Sequence, residues 1–178
     1  RRDWANSTTY DMYEHNISSS NTTTSGASNI YDSTFYFRTS DNRVYKVLDN
    51  NAGTAYSGSE PTSTSTSLFT LGGYTLKYMY TISASDSIKF LTADFMSVAT
   101  DSTVSAAATD GAIESLVVTA GSGYTNGTYT AETLRGDGTG GTFTVVVASG
   151  AVSTVTAVAV GGGATQAVQY TYADCNID

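Results

Sequence analysis

Residues 33–82 decide the fold of this chain and read STFYFRTSDNRVYKVLDNNAGTAYSGSEPTSTSTSLFTLGGYTLKYMYTI. Two strand-like runs, residues 33–39 and 43–48, flank Asp41 and Asn42, two residue types that favour a tight hairpin turn. Residues 74–82 alternate strictly, which predicts a half-buried strand with an aromatic face. That face would carry Tyr74, Leu76, Tyr78, Tyr80 and Ile82. The stretch therefore predicts a β framework.

The register of the predicted hairpin follows from the length of its loop. If Asp41 and Asn42 form a two-residue loop, Arg38 pairs with Tyr45 and can stack on its ring. One face of the hairpin would then carry Tyr36, Arg38, Tyr45 and Val47, and the other Phe35, Phe37, Val44 and Leu48. Both faces have apolar side chains, so the hairpin is predicted to be covered on both sides.

The composition is typical of a globular β protein with a hydroxyl-rich surface. A length of 178 residues suffices for one domain or two small ones. Charged residues make up only 13%, whereas 13 Tyr and 6 Phe are available for a core. The predicted fold class is mostly β, with antiparallel, sandwich-like sheets and one or two short helices in two small subdomains.

The charge and the apolar runs argue against several kinds of partner. A formal net charge of −8 with scattered Lys and Arg does not suit phosphate binding, so no nucleic-acid partner is expected. No apolar run approaches the roughly 20 residues that span a bilayer, so no membrane partner is expected. A single cysteine, Cys175, excludes an internal disulfide. The chain begins with Arg1 rather than Met, and we expect it to be part of a longer protein.

Two segments outside the strands have patterns of their own. Residues 1–17 place Tyr10, Tyr13 and Ile17 on one helical face, which predicts a short helix or an irregular docking segment. Residues 57–67 form a polar loop with the only proline, Pro61. Because this loop is longer than typical connections, we expect it to be functional or to pack against a partner.

A short helix is predicted directly after the aromatic strand. Ser83 or Ser85 is the expected N-cap, since Asp86 then falls in the first turn. The side chains of Ile88, Leu91 and Phe95 would face the core.

A shift to small residues near position 104 predicts a domain boundary. Residues 1–104 would form an aromatic-rich β domain with short helical segments, and residues 105–178 a β domain rich in Gly and Val. Strands of the second domain are predicted over residues 112–120, 128–134, 142–148 and 152–160, with a fifth over 168–173. The segment at 112–125 is echoed at 151–165, which gives a degenerate repeat of 40 residues.

No motif indicates catalysis, a cofactor or a metal. Residues 135–141, RGDGTGG, contain an integrin-type tripeptide, but a turn between two strands explains them better than a phosphate or calcium loop. Carboxylates that could support glycoside hydrolysis are scattered over turns, and His15 is the only histidine. No nucleophile elbow, HExxH, CxxC or dinucleotide fingerprint occurs. The sequence predicts a protein that is not an enzyme.

Several segments resemble a baseplate wedge protein of contractile-tailed, T-even-type bacteriophages, especially those of marine cyanobacteria. The resemblance is most specific in VYKVLDNN at 44–51 and GYTLKYMYTI at 73–82. It extends to residues 2–4, 33–36, 60–62, 110–129 and 135–141. Val47 stands where the family has Cys, and Leu76 where it has Trp, so both positions stay apolar. Residues 162–165 depart from a second GSGYT segment that is common in the family.

The resemblance implies a structural virion protein of the tail baseplate, assembled in the host cytoplasm, that forms a homodimer and bridges other wedge proteins. It carries over no catalytic residue and no cofactor. An alternative is a carbohydrate-binding or host-adhesion module of a phage tail fibre, whose tyrosines would stack on sugars, and a third hypothesis is a glycan-cleaving enzyme. The candidate partner contacts are Ser57, Glu60, Pro61, Tyr78 and Tyr80.

Overall fold

The computed structural model describes residues 1–109, 113–133, 135–157 and 173–174. The chain divides into two compact units, Arg1–Ala108 and Thr109–Asp178, four residues beyond the expected boundary. Each unit contains an antiparallel sheet, of four strands in the first and three in the second, and the described residues include two short helices. The predicted mostly β fold with antiparallel sheets is confirmed.

The sheet of the first unit has the spatial order β1–β2–β4–β3, and all neighbouring strands are antiparallel. Its strands are β1 (Tyr36–Arg38), β2 (Arg43–Asp49), β3 (Phe69–Leu71) and β4 (Tyr74–Thr81). Helices α1 (Ala84–Phe90) and α2 (Ser102–Ala107) follow β4 in the sequence. Of the two predicted N-caps, Ser83 is correct, because its Oγ accepts a hydrogen bond from the backbone N–H of Asp86 at 3.0 Å.

The hairpin register is shifted by one residue from the predicted one. Thr39 N donates to the carbonyl oxygen of Arg43, and Asn42 N donates to that of Thr39, so the loop comprises residues 40–42. Asn42 adopts a φ of 64°, a left-handed conformation that Asn tolerates better than most residues. The three-residue loop places Phe37 opposite Tyr45.

A one-residue shift exchanges the two faces of a strand, so the predicted pairing of Arg38 with Tyr45 is wrong. Arg38 lies opposite Val44, and its Nε donates to Oδ1 of Asp3 at 3.0 Å. A different cation lies close to a ring: Nζ of Lys46 is 3.5 Å from the ring centroid of Tyr13.

An irregularity in the β2–β4 pairing divides the aromatic strand between two faces. Val44 pairs with Tyr80, but the next residue, Tyr45, pairs with Tyr78. Because Val44 and Tyr45 point to opposite faces of β2, their partners also lie on opposite faces of the sheet. The prediction of one shared aromatic face is therefore wrong. The predicted burial of all five positions is confirmed, for Tyr74, Leu76, Tyr78, Tyr80 and Ile82.

Because of the irregular β2–β4 pairing, each side of the sheet has its own core cluster. The first core cluster is aromatic and comprises Tyr10, Phe37, Tyr45, Val47, Tyr56, Tyr74, Leu76 and Tyr78. The second core cluster comprises Val44, Tyr80 and Ile82, with several partly buried side chains packed against them. Coverage of the hairpin on both sides, as predicted, is confirmed.

The N-terminal segment is irregular rather than helical, so of the two predictions for residues 1–17 the docking segment is correct. Trp4 N donates to Arg38 O, and Arg38 N donates to Arg2 O, so this segment pairs with the outer edge of β1. Further along, Tyr10 is fully buried and its ring centroid is 4.7 Å from that of Phe37. The segment thus covers an edge strand and supplies a core residue.

The three-stranded sheet of the second unit has the order β5–β7–β8. Its strands are β5 (Gly127–Thr133), β7 (Thr142–Ala148) and β8 (Ala151–Ala157), and a separate pair joins β6 (Arg135–Gly136) to β9 (Ala173–Asp174). Three of the predicted strands are confirmed within the described residues. The strand predicted over 112–120 is wrong for residues 113–120, which form no strand. Residues 158–172 and Cys175, and with them most of the predicted fifth strand and of the second repeat copy, lie outside the described residues.

Gly72 in the β3–β4 turn gives a test of packing against Tyr56. Gly72 has a φ of +63°, and a Cβ at this position would lie 2.6 Å from ring atoms of the fully buried Tyr56. We expect Gly72→Ala to lower the free energy of unfolding by about 2–3 kcal/mol, measured by urea denaturation.

Gly26 provides the matched control for this substitution. It has a φ of +86°, but no atom lies within 4 Å of the position that the methyl group of an alanine would take. Gly26→Ala should therefore cost only the backbone strain, about 1–2 kcal/mol. Equal losses for the two variants would contradict a steric role of Tyr56.

Candidate interaction surfaces

The long polar loop at 57–67 packs against its own unit. The carboxylate of Glu60 accepts hydrogen bonds from the backbone N–H and the hydroxyl of Ser40, both at 2.6 Å. Pro61 is buried, and the hydroxyl of Tyr45 donates to the carbonyl oxygen of Ser63 at 2.7 Å. Internal contacts thus hold residues 60, 61 and 63 of this loop, whereas residues 57–59, 62, 64, 65 and 67 are exposed, and a partner contact of the loop stays a prediction.

The buried tyrosines hold this loop with their hydroxyl groups. Desolvation by burial raises the pKa of Tyr45 to about 12 and that of Tyr56 to about 12. Both phenols therefore stay protonated at neutral pH and remain hydrogen-bond donors. Tyr56 uses its hydroxyl to donate to the carbonyl oxygen of Ser59 at 2.9 Å.

The five predicted contact residues do not lie together on one surface. Ser57 is exposed, whereas Glu60 is partly buried and engaged with Ser40. Pro61, Tyr78 and Tyr80 are buried inside the first unit, the two tyrosines with only 4% and 7% of their surface exposed. These three side chains serve the core because the loop and the sheet bury them, and they offer no area to a partner.

The hydroxyl groups of Tyr78 and Tyr80 also have internal partners. Tyr78 lies 2.9 Å from the hydroxyl of Thr81 and 3.4 Å from a carboxylate oxygen of Asp101, which caps α2. Tyr80 donates to the carbonyl oxygen of Ser97 at 3.2 Å. Both residues thus connect the sheet to the segment that follows β4.

An ionic cluster lies where the N-terminal segment meets β1. A hydrogen bond from the guanidinium of Arg1, supported by a second from Arg38, lowers the pKa of Asp3 to about 2. The same carboxylate forms ion pairs with both arginines. Asp3 is exposed, so we interpret the cluster as a contact that joins the N-terminal segment to the edge strand β1, and not as a catalytic site.

The described part of the chain contains neither a cluster of metal ligands nor a membrane-spanning helix. Within residues 1–109, 113–133, 135–157 and 173–174, no group of three or more His, Cys, Asp or Glu side chains could hold a metal ion. Over the same ranges, no helix has the length and apolar character to cross a membrane.

A small polar cleft lies beside the N-terminal segment. It is lined by Met12, Glu14, Asn21, Thr22, Thr23 and Thr24, and Asn21 Nδ2 donates to Glu14 Oε2 at 3.1 Å. No aromatic ring is part of this lining, so the cleft lacks the flat apolar surface on which a sugar ring stacks.

The segment that runs from α1 towards α2 exposes several large apolar side chains. Four large apolar side chains within eleven residues are exposed: Ile88 to 87%, Phe90 to 57%, Phe95 to 73% and Val98 to 87%. We call these four residues the 88–98 surface. The predicted core positions of Ile88 and Phe95 are therefore wrong.

The opposite side of the same segment belongs to the core. Leu91, Met96 and Ala99 pack against the second core cluster. Each of them directly follows an exposed apolar residue, namely Phe90, Phe95 or Val98. Apolar side chains on both sides of one segment made the core-facing side ambiguous in the sequence, because periodicity does not distinguish a core from an interface.

Another exposed aromatic residue lies in a turn that is stabilised by side-chain hydrogen bonds. The side chain of Tyr31 is 93% exposed. Oδ1 of Asn29 accepts hydrogen bonds from the backbone N–H groups of Tyr31 at 3.0 Å and Asp32 at 3.1 Å. Single exposed side chains of this kind are common, and Tyr31 is used below as a control position.

Comparisons with protein families, with curated proteins and with solved structures give no match for this chain.

Proposed function

We propose that this protein is a structural subunit of a phage tail baseplate, a wedge component that holds neighbouring subunits together. The observation that carries the proposal is the 88–98 surface, where four large apolar side chains are exposed within eleven residues of the described chain. Single exposed apolar side chains are normal on a protein surface, whereas several in one short segment are a feature of interaction sites. The resemblance at residues 44–51 and 73–82 supports the particular assembly.

The rest of the first unit also supports a structural role. Tyrosines of the first core cluster are buried, and Tyr45 and Tyr56 are hydrogen-bonded, so these side chains form the core rather than a binding face. The proposal places the protein in the virion and needs no catalytic residue, cofactor, nucleic acid or membrane. Its partners are a second copy and other wedge proteins.

The carbohydrate-binding alternative finds less support in the geometry. It relied on tyrosines of the aromatic strand to stack on sugars, but Tyr78 and Tyr80 are 4% and 7% exposed. A sugar ring needs an accessible aromatic face with polar groups around it. Tyr31 has an accessible ring, so binding of oligosaccharides that is lost in Tyr31→Ser would favour this alternative.

Location in the particle tests the proposed function directly. Tail particles from the source of the sequence would be purified, searched for this chain by mass spectrometry, and labelled with antibodies against it. We expect the label at the baseplate. A label along the tail fibres would replace the proposal with the adhesion hypothesis, and absence of the chain from the particles would reject both.

A further inference from the structure

The pair formed by Asn126 and Gly127 lies at the start of β5, on the surface of the second unit. Both residues are exposed, and Gly127 is the first residue of an outer strand of the described three-stranded sheet. They form the only Asn-Gly pair in the chain. Glycine has no Cβ and the widest conformational range, so its backbone nitrogen reaches the carboxamide carbon of a preceding Asn more easily than that of any other residue. The end of an outer strand also opens more readily than its centre.

The turn between β7 and β8 holds the carboxamide of Asn126 and polarises it. Oδ1 of Asn126 accepts a hydrogen bond from the backbone N–H of Gly150 at 2.8 Å. A backbone donor at about this distance stabilises an oxygen on which negative charge develops during a reaction. Attack on Cγ of Asn126 creates such a charge on Oδ1, so the hydrogen bond from Gly150 favours the attack.

We propose that Asn126 is a site of spontaneous covalent modification, at which the chain converts this residue to aspartate and isoaspartate with water as the only co-reactant. The backbone nitrogen of Gly127 loses its proton to a solvent base and bonds to Cγ of Asn126, and the Cγ–Nδ2 bond breaks to release ammonia. Water then opens the cyclic imide. Cleavage between Cγ and the nitrogen gives aspartate, whereas cleavage between the backbone carbonyl carbon and the nitrogen gives isoaspartate. No group is oxidised or reduced.

The two products differ in their effect on the sheet. Aspartate keeps the backbone and an oxygen that accepts from Gly150, and it takes the formal net charge of the chain from −8 to −9. Isoaspartate adds a carbon atom to the backbone directly before Gly127, which pairs with Val147 of β7. Because an extra backbone atom displaces the donors and acceptors that follow it, isoaspartate should weaken the first pairs of β5 with β7. The modification does not depend on the proposed baseplate role.

Peptide mapping of the whole folded chain by mass spectrometry, after days in mildly alkaline buffer, tests this inference. The peptide that contains Asn126 should gain about 1 Da and separate into two chromatographic forms, because water replaces ammonia in two ways. Gly127→Ala should slow this gain at least about tenfold, since a methyl group hinders the attacking nitrogen and narrows its conformational range. The variant should fold, as circular dichroism would show, because Gly127 has no positive φ and the added Cβ would lie 3.7 Å from the nearest ring atom of Tyr129.

Asn6 is the internal control and is read from the same samples. It is exposed, and its Oδ1 accepts from the backbone N–H of Gly58 at 3.1 Å, but Ser7 follows it instead of a glycine. Its peptide should gain mass much more slowly than the peptide of Asn126. If Asn126 stays intact in the folded chain but reacts in guanidinium chloride, the fold protects the site and the inference is overturned. Equal rates for wild type and Gly127→Ala would overturn it as well.

Discussion

Replacing Tyr45 with Ala is expected to lower the free energy of unfolding of the first unit by about 3–5 kcal/mol, the range found for large-to-small changes at buried aromatic residues. Tyr45 has no exposed surface, and its ring contacts those of Phe37, Phe69 and Tyr78. The substitution would leave a cavity in the first core cluster and would free the long loop. Urea denaturation followed by tyrosine fluorescence measures the loss.

Tyr45→Phe separates the ring from its hydroxyl. This variant keeps the packing but removes the hydrogen bonds to the carbonyl oxygens of Ser63 and Pro61. We expect a loss of about 1–2 kcal/mol, together with faster proteolysis within residues 57–67. Tyr31→Ala, at a position that is 93% exposed, should change stability by less than about 0.5 kcal/mol. If Phe and Ala at position 45 are equally destabilising, packing of the ring is not the dominant contribution.

The second large effect is expected at Asp11, whose carboxylate holds two loops together. Its oxygens accept four hydrogen bonds, two from Ser25 and two from Thr34, at 2.7–3.1 Å. Asp11 is 1% exposed, so removal of the carboxylate leaves several donors without an acceptor. We expect Asp11→Ala to lower the free energy of unfolding by about 2–4 kcal/mol in urea denaturation at neutral pH.

The same contacts give the stability a dependence on pH. Burial alone would raise the pKa of Asp11, but the hydrogen bonds from Thr34 and Ser25 outweigh it and lower the pKa below its usual value. The stabilisation is therefore complete above about pH 4, the usual pKa range of an unfolded Asp, and is lost as the pH falls through the folded-state pKa. Wild-type stability should fall more steeply below about pH 4 than that of Asp11→Asn.

Asp3→Asn is the control for this pH series. The pKa of Asp3 is lowered to about 2, and its carboxylate is exposed at the edge of β1. Asp3→Asn should keep the part of the pH dependence of stability that arises from Asp11. If wild type and Asp11→Asn lost stability equally as the pH falls, protonation of Asp11 would not be coupled to unfolding.

Local patterns in the sequence predicted elements whose causes are themselves local. Alternation over residues 74–82 predicted β4 and the burial of Tyr74, Leu76, Tyr78, Tyr80 and Ile82, because apolar residues at every second position are typical of a half-buried strand. Ser83 was one of two predicted caps, with Ser85, because Asp86 falls in the first turn after it, and the structure selects Ser83. Ser149 and Gly150 both adopt positive φ in the β7–β8 turn, the conformation that favours two-residue hairpin loops.

The candidate site was not predictable to the same degree. Ile88 and Phe95 are apolar and were expected in the core, yet only the packing of Leu91 and Met96 onto the sheet determines which side of the segment is covered. The loop with Glu60 and Pro61 was expected to be functional or to pack against a partner because of its length. These two residues make internal contacts, and a partner contact of the rest of the loop stays a prediction. Hydrophobicity and loop length alone do not specify the surface that a residue meets.

The sequence by itself determined a mostly β chain, the approximate extent of its main strands and the residues that would be buried in β4. Only the tertiary structure decided the hairpin register, the assignment of Tyr78 and Tyr80 to opposite faces, and the exposure of the 88–98 surface. The physical reason is that strand character depends on neighbours along the chain. Register and face depend on one extra loop residue and one shifted pairing, whose free energies are set by side chains distant in the sequence.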